Sequence, residues 1–407
     1  MASTLKTKSD GDIVRLALES FHNQLKFIKT INRQYDKEFG NRDGKNGGTL
    51  LIRNPNEYEV TTGAVMDVQD TTETTQTITR ATQKHIALMN FTSAEMTNSV
   101  EDIQTRFLDP AMSKLAAMVE FDVLSNIYKD VFNLTGTPAT TPASLTAVLN
   151  ANARLSQGLA PMSDRHLLLE SLAMAATVAS VGAYFHKASE LERAFSQGYI
   201  GEAAGLKWWE SNMVPTHTNG SRTDSTPITD TSGWANGDTT ITTTGQTNAQ
   251  TLKAGDVFTV AGVYAVNLET KQAYSYLQPF VVRTNKTCDT TDVFDVAPTI
   301  YTSGPRQNVS VTSAGSGKAI VHVAAGGSGT ASAIYAQNLA YHRDAFTFVS
   351  GDLHQEPGQR MSTAVIENIS MRLWRGADIV NDRFPTRIDV LYGYKTIRPE
   401  WAVRVRG

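Results

Sequence analysis

From Asp12 to Tyr35, apolar residues fall at Val14, Leu18, Phe21, Leu25 and Ile28. Steps of three and four predict an amphipathic helix with one sticky face. A polar, glycine-containing break, GNRDGKNGG, follows at Gly40–Gly48. The next stretch, TLLIRNPNEYEVTTGAVMDVQDTTETTQTITRATQKHIALMNF, is β-branched and punctuated by Pro55 and Gly63, which predicts extended strands. Much of it is Thr, Gln and Asp, too polar to build a core. A two-stranded ribbon is marginal in water by itself, so this excursion is expected to lie on another surface, another chain's included.

Thr92 and Glu95 have capping-box spacing, and Asp109-Pro110 places proline where a helix begins. From there Met112, Leu115, Val119, Val123, Ile127 and Val131 form one stripe, while Met118, Phe121, Leu124 and Tyr128 form a second. The pattern predicts a long spine helix over Ser99–Val131, hinged at Pro110 and sticky on two faces. A further helix is expected from Thr141-Pro142, carrying Leu145, Val148, Leu149, Ala151 and Leu155. RHLLLE (Arg165–Glu170) reads as a buried strand and Leu172–Phe185 as an apolar helix. Strand and helix alternate here, which gives an α/β or α+β core.

The character changes at Thr216. Up to about Gly329 the chain is rich in Thr, Gly, Asn and Ser, and DTTITTT, AGDVFTVAGVYAV, PFVVRT and DVFDVAP read as short strands. Asn236-Gly237 is a hairpin signal. This predicts a small β-barrel or sandwich of about 110–125 residues inserted into the core. After Ala340 the earlier character returns. ISMRLW, RIDVLYGY and EWAVRVR alternate apolar and polar positions, with Trp401, Val403 and Val405 opposite Ala402, Arg404 and Arg406. They are expected to be half-buried strands.

GYIGEAAGLKWWESNMVP (Gly198–Pro215) has the glycines of a ligand-cradling loop, but a helix-forming stretch precedes it and a strand-like run follows. A phosphate loop needs the reverse order, so these glycines are read as a tight turn. Other fragments of catalytic motifs are equally incomplete. His342-Arg343-Asp344 lacks the remaining kinase elements and is expected to be a strand-entry charge pair. GSGKA (Gly315–Ala319) lacks the first glycine and the metal-binding hydroxyl of a phosphate loop. His354 and Glu356 stand two apart, unlike a helical metal pair, and are read as a solvated turn. Cys288 is the one cysteine and has no activating base nearby in sequence. No catalytic residue, cofactor site or metal site is assembled.

Composition narrows the class further. Across 407 residues, 37 basic against 40 acidic side chains leave a net charge of −3. A surface specialised for nucleic acid needs a clustered positive excess. A lone cysteine fits a reducing compartment. The N-terminal residues have no apolar signal core, and the longest apolar run is 14 residues where a membrane span needs about 20. The expectation is a soluble protein made in the cytoplasm, without membrane partners.

The order of parts, with GYIGEAAGLKWWESNMVP, LKAGDVFTVAGVYAVN, QPFVV and the ending LYGYKTIRPEWAVRV, resembles the major capsid proteins of tailed bacteriophages. These have the Hong Kong 97-type fold, and the likeness is strongest to podovirus coat proteins with an inserted β-barrel domain. The resemblance implies an α+β fold divided into an N-terminal helical arm (1–45), an extended β loop (46–90), and a spine helix with peripheral domain (91–132). A first part of the axial core (133–215), the inserted barrel (216–340) and returning core strands (341–407) follow. It implies a virion location, hexamers and pentamers of the chain itself, a scaffolding protein, a portal, and enclosure of double-stranded DNA without sequence-specific binding. In Asp67–Thr82, the charges Asp67, Asp70, Glu73 and Arg80 are the candidate intersubunit contacts, since a polar strand pair must draw its stability from a neighbour. A bacterial nanocompartment shell of the same fold, a carbohydrate-binding surface protein and a hydrolase are the alternatives. The inserted barrel and polar arm favour a virus over the first. The other two lack an export signal and a nucleophile–base pair respectively.

Overall fold

The structure is a computed structural model that describes residues 10–36, 49–56, 58, 60, 62–65, 73–79, 82–92, 104–136, 140–181, 201–222, 228–229, 234–311, 318–322, 332–356 and 358–407. The polar break at Gly40–Gly48, Glu95 of the capping box, most of GSGKA and the end of the apolar helix lie outside these residues. The chain forms two compact units, one of Met1–Asn54, Thr75–Val123 and Phe346–Lys395, the other of Pro55–Thr74, Leu124–Ala345 and Thr396–Gly407.

In the first unit a six-stranded sheet has the order Asn32–Asp36, Phe346–Gly351, Arg383–Thr396, Ile369–Arg375, Arg360–Ile366, with Thr82–Thr92 also paired to Arg383–Thr396. Helix α1 (Asp10–Gln24) packs on strands Arg360–Ile366 and Ile369–Arg375. Its expected face is the one that is buried, Val14, Leu18 and Phe21, with Leu25 buried just beyond its end. The helix does not reach Tyr35. A second short helix, α2 (Phe27–Thr30), is followed by a strand, Asn32–Asp36, parallel to Phe346–Gly351. The sheet offers an open row of backbone donors and acceptors there, and pairing with it outweighs local helical spacing.

The C-terminal strands differ from expectation in the same direction. Ser370 and Arg372 are buried along with Ile369, Met371 and Leu373. Burial of the polar side is possible because Asp389 accepts from Arg372 Nη2 at 2.7 Å and from Arg387 Nε at 3.2 Å. A buried charge is tolerated when it is paired and hydrogen-bonded.

The spine helix α3 (Asp109–Ile127) follows a π-helical turn, Gln104–Leu108, and ends in a 3-10 turn, Tyr128–Asp130. Pro110 is its second residue, where a missing N–H costs no intrahelical bond, and the irregularity falls in the turn before it. Every residue of the first stripe, Met112 to Val131, is buried. In the second stripe Leu124 and Tyr128 are buried, whereas Met118 and Phe121 are about half exposed.

The second unit contains another six-stranded sheet, ordered Leu134–Thr135, Ala402–Val405, Asn338–His342, Arg165–Leu169, Leu206–Glu210, Glu202–Ala203. Strand Arg165–Leu169 is buried throughout, as its sequence predicts. Helices α4 (Leu145–Gln157) and α5 (Ser171–Val181) complete this core around Trp208, with Val148, Ala151, Leu155 and Met174. Helix α4 begins three residues after Pro142, because Ser144 caps it by accepting from Ala147 N at 3.3 Å. Leu149 is half exposed, not inward-facing. The glycine-rich stretch folds back between Ala203 and Leu206. Ala204 and Gly205 take φ of 56° and 72°, a primed two-residue turn. A Cβ at Gly205 would stand 3.1 Å from Asn152 Nδ2, which itself donates to Ala204 O at 2.8 Å. The turn sets backbone against backbone, and strand Leu206–Glu210 then joins Arg165–Leu169 in parallel.

Within the same unit lies a seven-stranded antiparallel sheet, ordered Ile228–Thr229, Asp238–Thr244, Thr291–Ile300, Ala273–Val282, Val257–Val266, Val309–Val311, with Ile320–His322 also on Val257–Val266. Its core holds Ile241, Phe258, Phe280, Phe294 and Ile300, and Cys288 is buried among them. Asn236-Gly237 does form a turn, with Gly237 at φ 99°. It is not a two-residue hairpin, because Ile228–Thr229 pairs with Thr244 and Thr243 at the far end of the strand.

Candidate functional site

Strands Thr49–Arg53 and Thr75–Thr79 form an isolated antiparallel ribbon, in register from Thr49↔Thr79 to Arg53↔Thr75. Glu73 is exposed just before the second strand. Asp67, Asp70 and Arg80 lie outside the described residues. The ribbon is not wholly without apolar anchorage, as its composition suggests: Ile78 is fully buried, and Lys395 Nζ donates to Thr77 O at 3.0 Å. On the first strand of the ribbon, and in the segment that follows it in sequence, some apolar side chains face solvent. Leu51 is 62% exposed and Val60 94%, with Tyr58 and Val65 also bare.

The most developed polar arrangement is buried in the second unit, and alternation along the last strand conceals it. Arg404 and Arg406, expected on a solvent face, are 1% and 2% exposed. Spaced two apart, they share one face of the strand region. Arg404 Nη1 donates to Gly255 O at 2.7 Å, and Arg406 Nη2 to Tyr335 Oη at 2.9 Å. Their guanidiniums lie 5.3 Å from the Tyr128 ring and 4.4 Å from the Tyr335 ring, within cation–π range. Beside them Tyr128 Oη meets His217 Nδ1 at 3.0 Å, and His217 Nε2 meets Asp256 Oδ1 at 2.8 Å. Asp256 Oδ2 accepts from Lys253 N at 2.8 Å and Gly220 N at 3.1 Å. Burial lowers the pKa of Arg404 to about 10 and also lowers that of His217, even with Asp256 alongside.

This hub draws on the end of the spine helix, the start of strand Val257–Val266, the segment around His217 and the C-terminal strand. The Tyr–His–Asp order has the form of a proton relay. Tyr128, His217 and Asp256 are all buried, and their bonds join elements of one unit. Among the described residues no group of three or more His, Cys, Asp or Glu could hold a metal ion, and no helix is long and apolar enough to cross a membrane.

The motif fragments resolve into structural parts. His342 is buried and accepts the Asp344 N–H at 3.2 Å through Nδ1, while its ring stands edge-on to Trp401 at 5.1 Å. Burial lowers its pKa, so a neutral ring caps the turn and the expected charge pair is secondary. His354 and Glu356 form an exposed 3.2 Å pair in an irregular segment.

The family model described as P22 coat protein - gene protein 5 matches residues 93–407, well over half of the chain. The chain is a phage coat protein, the major subunit of a capsid. It belongs to the P22 coat protein family. Its role is structural, not enzymatic, and its place is the virion shell. No curated protein matches the chain. Among solved structures, a Mycobacterium phage Che8 chain shares 11% identity and a TM-score of 0.42, over 99% of this chain and 94% of that one. The capsid of cyanophage P-SCSP1u gives 10% and 0.43, over 93% and 87%. A virus-like particle from Pyrococcus furiosus gives 8% and 0.41, over 97% of each. Membership rests on the family match and not on these likenesses.

Proposed function

We propose that the chain self-assembles through hexamers and pentamers into the closed icosahedral shell of a tailed phage. The shell forms first as a procapsid that matures, with a scaffolding protein and a portal, and encloses double-stranded DNA. The observation that carries this reading is the exposure of Tyr58, Val60 and Val65 along one short segment of the chain. Apolar side chains grouped in this way mark surfaces that another chain covers. In this reading residues 46–90 are the loop that overlies a neighbour, and 216–340 the inserted barrel. The near-balanced charge, −3 overall, suits a container that holds DNA without gripping it.

Arg80 is the one cation in Asp67–Thr82, and its sign tests the reading. With the scaffolding partner present, Arg80→Glu should leave the melting of the free subunit within about 0.5 kcal/mol of wild type but weaken or misdirect assembly. Normal shells at wild-type yield from this variant would remove Arg80 from the contact.

A further inference from the structure

The turn Gly376–Asp382 joins strands Ile369–Arg375 and Arg383–Thr396 and reads GADIVND. Turn tips favour Gly, Pro, Asn, Asp and Ser, each for a conformational reason, and Asp378, Asn381 and Asp382 comply. Ile379 and Val380 do not. They are 94% and 90% exposed, two adjacent aliphatic side chains that touch almost nothing in their own chain.

The tip is also held rigidly. Asp378 N donates to Arg383 O at 2.8 Å and Arg383 N to Asp378 O at 3.2 Å, which closes the hairpin. Asp378 Oδ1 accepts from Val380 N at 3.0 Å and Asn381 N at 3.3 Å, and Oδ2 accepts from Asn381 Nδ2 at 2.7 Å. Asp382 takes φ of 47° to complete the reversal. The backbone of the two aliphatic residues is therefore fixed by one carboxylate, and its ordering entropy is already lost before any encounter. Exposed charged residues, Asp382 and Arg383, flank the apolar pair. An apolar centre within a polar rim is the anatomy of a binding hot spot.

We infer that Ile379 and Val380 form an apolar knob that seats in a recess on a second copy of this chain. The second copy is the occupant because the chain belongs to a coat-protein family, whose shells are built from many copies of one subunit. The inference rests on the assembly reading above and adds a contact to it. An unlike-face contact of this kind repeats from copy to copy, and closes into a ring where the rotation between copies closes.

The test uses the full-length protein. Cys288 is buried, so Val380→Cys introduces an accessible thiol against a low background. Under reducing conditions, a thiol-reactive dye should label the free subunit rapidly and the assembled shell at least about tenfold more slowly, as expected for a site closed by a specific interface. Independently, the double variant Ile379→Ser, Val380→Ser should melt like wild type, since neither side chain packs in the subunit. Its threshold concentration for assembly should rise about tenfold or more. Equal labelling of subunit and shell, or an unchanged threshold, overturns the knob while leaving the coat-protein reading intact. A wild-type chain that forms no shells with its scaffolding partner overturns the assembly reading, and the knob with it.

Discussion

Replacing Asp256 with alanine is expected to destabilise the protein by about 3–5 kcal/mol, the cost of breaking a buried charged network by removing one partner. Asp256 is buried and satisfies His217 Nε2, Lys253 N and Gly220 N at once. Its negative field also reaches Arg404 and Arg406, neither of which has a directly bonded carboxylate among the described residues. Truncation leaves three donors without an acceptor and removes a negative charge that favours the two guanidiniums. Asp256→Asn keeps the shape and one carbonyl acceptor, so it should cost less, although the charge is gone. Denaturant unfolding of the three proteins at neutral pH checks the order. A loss below about 1 kcal/mol for the alanine variant, no more than one ordinary hydrogen bond, would show that the hub is not the joint it is taken to be.

The second large effect is on pH dependence. Glu120, on α3, is buried and caps α2: its Oε1 accepts from Lys26 N at 2.5 Å and Ile28 N at 3.3 Å, with a further bond from Phe27 N. Desolvation nonetheless outweighs these bonds and the nearby Lys26 charge, and raises its pKa from 4.5 to about 7. The sign follows from linkage. A raised folded-state pKa gives a contribution fully present below pH 4.5 and lost as pH climbs through 7. The loss amounts to about 3 kcal/mol across that window. Glu120→Gln retains an oxygen for the α2 amides and does not titrate. It should therefore be more stable than wild type at pH 8, and its stability should change less between about pH 5 and about pH 8. Parallel pH profiles for the two proteins would contradict the assignment.

The parts legible in the sequence are those whose environment is set locally. The Met112–Val131 stripe is buried residue by residue, and RHLLLE is a strand buried throughout. The Ala204–Gly205 turn follows from glycine spacing between a polar and an apolar run. What escaped reading depends on partners far along the chain. Nothing within AVRVR indicates that Gly255 and Tyr335 await its two arginines, so alternation suggested a wet face where the fold supplies a dry one. Ser370 and Arg372 were obscured in the same way, because their partners, Ser350 and Asp352 for the first and Asp389 for the second, lie on other segments. Asn32–Asp36 is a strand because a distant sheet edge accepts it, against a helical spacing that is real as far as Leu25. Of the four charges proposed as contacts, Glu73 alone lies within the described residues, and charge and β-branching can name a candidate surface without naming its partner. The exposed Leu51 and Val60 carry the stronger physical signal there, and their side-chain type was visible while their exposure was not.

The central claim is that this chain builds a closed shell. Electron microscopy of the full-length protein co-expressed with its scaffolding partner tests it most directly. The account predicts closed icosahedral particles, in whose density a β ribbon of one subunit lies across its neighbour. A protein that remains a clean monomer at high concentration under every condition, with that partner present, would contradict it.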